Sequence, residues 1–356
     1  MNGRESERGR PSGEERESGG FSAPEFWAGK TVLVTGGTGF VGRNLTQRLR
    51  ALRAKEIVSV GHRDVNLVST TETLQWAKTL GRTPQIIFHL AAWAKPAPFS
   101  VSHPAELFEI NTVMHANMLR AWHQYFPTAR FMGCGTTDEY PGHILHMSEE
   151  DLWNGEPHSS VRMYAMTKRL LYAGQCAYAQ QYRLSTVHVI FPTLYGPGDY
   201  FDDGRSRVVS ALIHRFVQAK ANKSNRVMVW GDGYQTRECL FIDDAIDGLL
   251  LVVEKYQDVL INIGTGVGHT IRDLAETIAE LCDYDGEIDY DVTKFVGMRH
   301  KVLNIDKARF SLGWNPPTSL REGLRRTIDW YRENVLPHQE ERASLKTGPR
   351  RVSAVG

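Results

Sequence analysis

Residues 31–44, TVLVTGGTGFVGRN, constrain this chain more than any other stretch. An apolar run, Thr31-Val32-Leu33-Val34-Thr35, stops at Gly36. Gly39 and Gly42 follow at three-residue spacing, on the way into a helix that carries Leu45 and Leu49. Strand, tight turn, helix is the setting in which Gly-x-x-Gly-x-x-Gly means dinucleotide binding. Gly36 lets the chain turn sharply off the strand. Gly39 admits a pyrophosphate close to the backbone, and Gly42 lets the helix pack tightly on the sheet. Phe40 and Val41 lie in this turn, ahead of a helix at about 44–53 whose first N–H groups and partial positive charge face the phosphates.

The remaining chemistry must come from elsewhere in the 356 residues. A formal charge of +1 gives no electrostatic case for nucleic acid or an acidic membrane surface. Four scattered cysteines, with no Cys-x-x-Cys, form neither a disulfide framework nor a zinc site, so no metal is expected and a reducing, cytoplasmic location is. No apolar run reaches the roughly 18–20 residues that span a bilayer, and residues 1–20 lack the apolar segment of a secretory signal. Residues 1–24 and 336–356 are polar and are expected to be disordered, with the fold beginning near Phe26-Trp27.

In chain order, a second strand at 56–60 runs into Gly61-His62-Arg63-Asp64. An acid at such a strand tip binds the ribose 2′-hydroxyl of NAD, whereas a basic residue tolerates the 2′-phosphate of NADP. His62 and Arg63 favour NADP, while Asp64 keeps NAD open. Residues 64–67 either pass under the adenine or form a turn. The continuous apolar strand 85–90 suits a parallel sheet covered on both faces. It ends at Leu90-Ala91-Ala92, whose small residues leave room for a cofactor. A helix over 107–125 contains Asn111. A strand at 130–132 leads into Gly133-Cys134-Gly135-Thr136-Thr137-Asp138-Glu139-Tyr140-Pro141-Gly142, polar residues where open α/β sheets place their chemistry.

Tyr164 and Lys168 stand at i and i+4, on one helix face. The ammonium is expected to lower the phenol pKa towards working pH, so that Tyr164 exchanges a proton with a substrate hydroxyl as the adjacent carbon exchanges hydride. Lys168 would also hold the nicotinamide ribose. A strand at 185–190 leads to Pro192-Thr193. Further elements are a helix at 208–219, a strand at 227–230, a helix from Asp243 to about 254, a strand at 260–263, a helix N-capped by Thr270, and a last helix at 319–334.

Taken together, TGGTGFVG, HLAA (89–92), YAMTK (164–168), LYGPGD (194–199), WGDGYQTRECLFIDD (230–244), NIGTG (262–266) and LGWNPPTSLREGL (312–324) resemble the extended short-chain dehydrogenase/reductases of the nucleotide-sugar epimerase/dehydratase family, across 30–334. The expected fold is α/β: a Rossmann-like, doubly wound parallel sheet with a smaller C-terminal α/β domain. Residues 25–195, with parts of 235–265, would bind NAD(P), and 196–335 would mainly bind the nucleotide sugar. The cofactor-lining set implied is Gly36, Gly39, Phe40, Val41, Gly42, His62, Arg63, Asp64, Leu90, Ala91, Ala92, Asn111, Lys168 and Pro192. A homodimer built on the Asn111 and Tyr164 helices is also implied.

Within that family the C-terminal half is similar to the GDP-L-fucose synthases, which implies a GDP sugar. Trp230, Arg237, Arg215 and Lys294 match that group's nucleotide-sugar contacts, and Thr193, Arg207 and Arg299 complete the implied substrate set. A diphosphate calls for Arg and Lys as charge-assisted donors. The catalytic candidates are Tyr164, Lys168, Thr136, Thr137, Asp138 and Glu139. Against the fucose synthases, Thr136 stands at the catalytic serine, Asp138 replaces the acid/base cysteine, and Arg207 replaces the acid/base histidine. An arginine cannot serve as a general acid. Read one residue over, Thr137-Asp138-Glu139 resembles the Thr-Asp-Glu of 4,6-dehydratases, in which Asp is the acid and Glu the base. The readings left open are a C4 epimerase/reductase, a dehydratase or other 4-oxidising enzyme with retained cofactor, and a binding protein with impaired turnover.

Overall fold

The structure, a computed structural model, describes residues 22–95, 97–202, 204–294 and 297–337. The tails expected to be disordered lie almost wholly outside these residues. Ser22 and Ala23, by contrast, are tied to the Glu254 carboxylate, and Trp27 is completely buried.

Six parallel strands form the main sheet, in the order Val259–Asn262, Thr186–Phe191, Arg130–Thr136, Ile86–His89, Thr31–Thr35, Glu56–Val60. All five residues of Thr31–Thr35 are buried, because helices cover both faces. The strand period of two sorts its side chains. Val32 and Val34 pack with Phe88, Leu45, Leu49, Leu249 and Val252, under helices Phe40–Ala51 and Ile242–Lys255. Leu33 packs with Ile87, Phe131, Met118, Trp122 and Leu171, under helices Pro104–Tyr125 and Arg162–Tyr182. The chain steps from Thr31–Thr35 out to Glu56–Val60, then back across to Ile86–His89 on the other side. That reversal opens a crevice at the C-terminal strand ends, directly beyond Gly36 and Leu90.

A smaller set of C-terminal elements adjoins it. Thr236–Phe241 pairs with Gly268–Thr270, with His300–Leu303 and with Thr193–Tyr195, and His300–Leu303 pairs with His146–Met147. Arg226–Trp230 and Glu287–Asp291 form a separate parallel pair. Helices Val208–Ala221, Ile271–Leu281 and Leu320–Asn334 bury Leu212, Phe216, Leu274, Ile278, Leu324 and Ile328 against this layer. Thr270 N-caps its helix and Asp273 completes a capping box. Strands Thr236–Phe241 and His300–Leu303 are new relative to the sequence reading, and the second brings Lys301 to Asp138 in the loop 133–142. Among the described residues, no helix is long and apolar enough to cross a membrane, and the four cysteines are unpaired.

Candidate active site

The three glycines of the turn differ in what a side chain would meet. Gly36 has φ +71°, and a Cβ there would lie 2.7 Å from the Ala91 nitrogen, so the turn and the tip of Ile86–His89 are in contact. A Cβ on Gly42 would lie 2.2 Å from the Gly36 carbonyl oxygen. Gly39 is different. Its φ is −77°, and a Cβ there would meet only the Gly36 oxygen, at 3.2 Å. Gly39 is also the N-cap of Phe40–Ala51 and has no side chain to cap it. The first-turn N–H groups, Phe40 and Val41 included, are left to an external anion, so this cradle fits a dinucleotide pyrophosphate.

The neighbouring strand tip borders the cradle, since Gly37 N–H donates to the Val60 carbonyl at 3.0 Å. His62 and Arg63 are exposed there. The Asp64 carboxylate accepts from Gly61 N–H at 2.7 Å, within its own turn. Residues 62–64 therefore form a turn, with Val65 and Leu67 buried behind it. Leu90, Ala91 and Ala92 lie half-buried at the opposite wall, and Pro192 is buried between strands Thr186–Phe191 and Thr193–Tyr195. Asn111 is buried and occupied: it accepts from Trp93 N–H at 2.8 Å and donates to the Leu107 carbonyl at 2.9 Å. It holds the loop after Ala92 in place instead of presenting a free amide. Behind this wall His89 bridges Thr35 and His115, at 2.8 Å to each, a pairing the sequence reading missed at His115. Burial, reinforced by the Lys168 charge, pushes His89 down to about 3 and His115 well below its usual value, so both are neutral.

The catalytic candidates converge at the end of Arg130–Thr136. Lys168 is buried, donates to the Cys134 carbonyl at 2.9 Å and lies 5.9 Å from the Tyr164 ring centre. The expected effect of Lys168 on Tyr164 is real but does not win. Burial of the phenol raises its pKa by more than Lys168 and Arg207 lower it, so the net shift is upward. Helical spacing identified the neighbouring ammonium; the desolvation depends on the surrounding fold.

The next residues form a single 3₁₀ turn, Thr137–Glu139, and its geometry fixes which side chain points where. Tyr140 is fully buried and donates to Asn262 Oδ1 at 2.7 Å. Glu139 is also fully buried, and its Oε1 accepts from Thr136 N–H at 2.8 Å in a capping box. Arg169 Nε donates to the Glu139 carbonyl at 2.6 Å. Thr137 is buried, whereas Thr136 is half-exposed at the strand end. Glu139 therefore faces the core, and Thr136 and Asp138 are the residues on the open side. The reading with Asp138 as acid and Glu139 as base would therefore need a base that is buried and capped onto Thr136 N–H in this turn.

Asp138 meets an unforeseen partner. Lys301 forms an ion pair with it, both side chains being 17% exposed. Lys301 pairs in register with Arg237 on the adjacent strand. Burial would raise the Asp138 carboxyl, but Lys301, then Arg207 and Arg237, overcome this and hold it below the ordinary carboxylate range. Arg207, the N-cap residue of Val208–Ala221, thus acts electrostatically on both Asp138 and Tyr164.

Farther out, the two-stranded pair sets Trp230 opposite Asp291, and Lys294 N–H donates to the Asp291 carbonyl at 3.2 Å. Arg215 lies 5.3 Å from the Trp230 ring centre, and Trp230 is 45% exposed. Arg299 is paired with Asp232 at 2.7 Å, in the loop after Trp230. Thr193 is half-buried beside Cys239. Trp230, Arg215 and Lys294 are thus brought to one end of this layer.

A profile described as the NAD dependent epimerase/dehydratase family matches residues 32–264. The chain belongs to that family. It is similar to the GDP-L-fucose synthase of Escherichia coli, with 30% identity over 314 residues, 85% of this chain and 97% of that protein. GDP-L-fucose synthase 1 of Arabidopsis thaliana is 29% identical over 306 residues, 85% of this chain and 94% of that one. Among solved structures, a GDP-6-OMe-4-keto-L-xylo-heptose reductase from C. jejuni superposes with a TM-score of 0.79 at 20% identity, covering 86% of this chain and 98% of that one, a likeness of fold. A UDP-glucose 4-epimerase from Thermotoga maritima gives 0.74 at 25% identity, covering 85% and 99%. Membership in the epimerase/dehydratase family makes this an NAD(P)-dependent enzyme of the nucleotide-sugar epimerase, dehydratase and reductase class.

Proposed function

We propose that this family member reduces the 4-ketone of a nucleotide-linked hexose with NADPH, without inverting the neighbouring carbons. The observation that carries the reading is the setting of Asp138. Inversion or elimination next to a ketone needs a proton acceptor and a separate proton donor. Asp138 is the carboxylate on the open side of the loop, and Lys301, Arg207 and Arg237 weaken it as a base. Glu139 faces the core, and Arg207 holds its proton permanently. Ketone reduction needs none of these groups.

Reduction does need an acid, and Tyr164 supplies one. Its raised pKa keeps the phenol protonated near neutral pH, as delivery of a proton to the C4 oxygen demands. Thr136 donates a hydrogen bond to the same oxygen, and Lys168 stabilises the phenolate that remains. When bound, NADPH would supply the hydride to C4. Gly36, Gly39, Gly42, Phe40 and Val41 would hold its pyrophosphate. NADP is favoured because the Asp64 carboxylate is engaged with Gly61 while Arg63 is exposed beside the ribose position. In this reading 25–195, with parts of 235–265, bind the cofactor, and 196–335 bind the sugar nucleotide. A GDP sugar is favoured by the two fucose synthases and by Trp230, Arg215, Arg237 and Lys294. Exposed Phe108 and Leu170, on the Asn111 and Tyr164 helices, support a homodimer, and the unpaired cysteines support a cytoplasmic location.

The test is incubation with NADPH and GDP-4-keto-6-deoxymannose in deuterium oxide, followed by mass spectrometry. Gain of two hydrogens, with no solvent deuterium on carbon, is the expected product. Carbon-bound deuterium would show epimerisation and overturn the reading, as would loss of water from a GDP-hexose.

A further inference from the structure

Glycine stands at 133 and 135 in the strand Arg130–Thr136, in the middle of the main sheet, where glycine weakens a strand. The space it vacates is filled. A Cβ on Gly133 would lie 2.2 Å from Gln175 Oε1 and 2.9 Å from His188 Nδ1. A Cβ on Gly135 would lie 2.7 Å from both Glu139 Oε1 and His188 Nε2. Three fully buried polar side chains, Gln175, His188 and Glu139, therefore run in a line over the two glycines and end under the catalytic turn.

The hydrogens in this line can be assigned from one end. Gln175 Nε2 faces the Val187 carbonyl at 3.0 Å and Thr186 Oγ1 at 2.6 Å, so that atom is the amide nitrogen. Gln175 Oε1 must then accept from His188 Nδ1, at 2.7 Å, and Nδ1 carries a hydrogen. His188 Nε2 faces Glu139 Oε2 at 3.4 Å, and neither atom has another hydrogen-bond partner among the described residues. Glu139 Oε1 already accepts from Thr136 N–H. Two bare acceptors do not face each other in a dry core.

We infer that one extra proton lies between Glu139 Oε2 and His188 Nε2, carried by one and donated to the other, and that the chain Gln175–His188–Glu139 is the positioning device for Thr136. The inference rests on Thr136 presenting its hydroxyl to the substrate. The groups facing the pair are Arg169, which binds the Glu139 carbonyl, Tyr172, whose ring centre is 5.0 Å from that of His188, Tyr140, and His115 from the neighbouring helix. Gly133 and Gly135 are the space the device requires.

Glu139→Gln and Glu139→Ala separate this from mere packing. Glutamine can accept from Thr136 N–H and donate to His188 Nε2 with no extra proton; alanine can do neither. The Gln variant is expected to keep the parent melting temperature and kcat for NADPH-dependent reduction of GDP-4-keto-6-deoxymannose within about threefold, while the Ala variant loses about tenfold or more in kcat at unchanged NADPH affinity. An Ala variant with parental kcat, or a Gln variant that fails like Ala, overturns the inference. Nitrogen-15 NMR of histidine-labelled protein, with His188 assigned by a His188→Gln spectrum, tests the chain without turnover. Both His188 nitrogens should report a bound or shared hydrogen in the parent, and Nδ1 alone in Glu139→Gln; a bare Nδ1 in the parent overturns it. A parent that leaves the keto sugar unreduced refutes the reductase reading, and the spectra still decide the proton.

Discussion

Lys301 closes an ion pair on Asp138 from a strand 163 residues further along the chain. It stands beside Arg237 in the pairing of His300–Leu303 with Thr236–Phe241. One short strand thereby supplies the main counter-charge to Asp138.

Replacing Lys301 by methionine is expected to destabilise the protein at pH 7 by about 1–3 kcal/mol, less than for a fully buried pair because both side chains keep some exposure. The sign with pH follows from the lowered Asp138 pKa. The pair's contribution is complete above the ordinary carboxylate range and is lost as pH falls through the lowered value. The gap between parent and variant in urea unfolding should narrow towards acid. A gap that widens on acidification would contradict the assignment.

Tyr164→Phe should cost about 10²–10⁴ in kcat, the range for loss of a positioned acid, while NADPH affinity stays near parental. In the proposed reduction the active phenol is the protonated form, and burial raises its pKa above the ordinary 10. Reduction should therefore hold a plateau through pH 7–9 and fall only beyond it. A decline centred below pH 8 in a kcat profile would show that some other group supplies the proton.

Two of the three cradle glycines, Gly39 and Gly42, should fail differently. Gly42→Ala drives a methyl into the Gly36 carbonyl, and overpacking of this kind costs about 2–3 kcal/mol. Gly39→Ala meets only one oxygen at 3.2 Å and has ordinary φ, so it should fold normally and lose NADPH affinity by about tenfold or more as the methyl occupies the phosphate approach. Melting curves with NADPH fluorescence titration separate the two. Parental affinity in the Gly39→Ala variant would mean that the pyrophosphate lies elsewhere.

What was legible in the sequence was local. The strand–turn–helix at Gly36–Gly42, the i,i+4 pair Tyr164–Lys168 and the Thr270 cap each lie within a few residues, and the parallel sheet follows from runs such as Thr31–Thr35. What was not legible depends on partners distant in the chain. The orientation of Thr137–Glu139 is set by Asn262 holding Tyr140 and Arg169 holding the Glu139 carbonyl. Lys301 sits in a four-residue strand, HKVL, too short and too polar to announce itself. The Tyr164 shift needed a burial that spacing cannot report, and His115 became visible only when the helix brought it to His89.

Trp230 tests the substrate end. Its ring is 45% exposed, with the Arg215 guanidinium 5.3 Å from the ring centre and Lys294 around the turn from Asp291. An exposed aromatic flanked by cations offers a stacking face for a nucleobase and donors for a diphosphate. Its strand belongs to the two-stranded pair and not to the main sheet that leads into the glycine cradle, so its loss should weaken substrate binding and leave the proton chemistry alone. Trp230→Ala is expected to raise the KM for GDP-4-keto-6-deoxymannose about 10- to 100-fold, with kcat within about threefold and NADPH affinity unchanged, the pattern of an interaction made equally in ground and transition states. Because an exposed ring contributes little to the core, the melting temperature should hold as well. A fall in kcat at constant KM would move Trp230 from substrate binding to the reacting centre, and no change in either would remove it from the site.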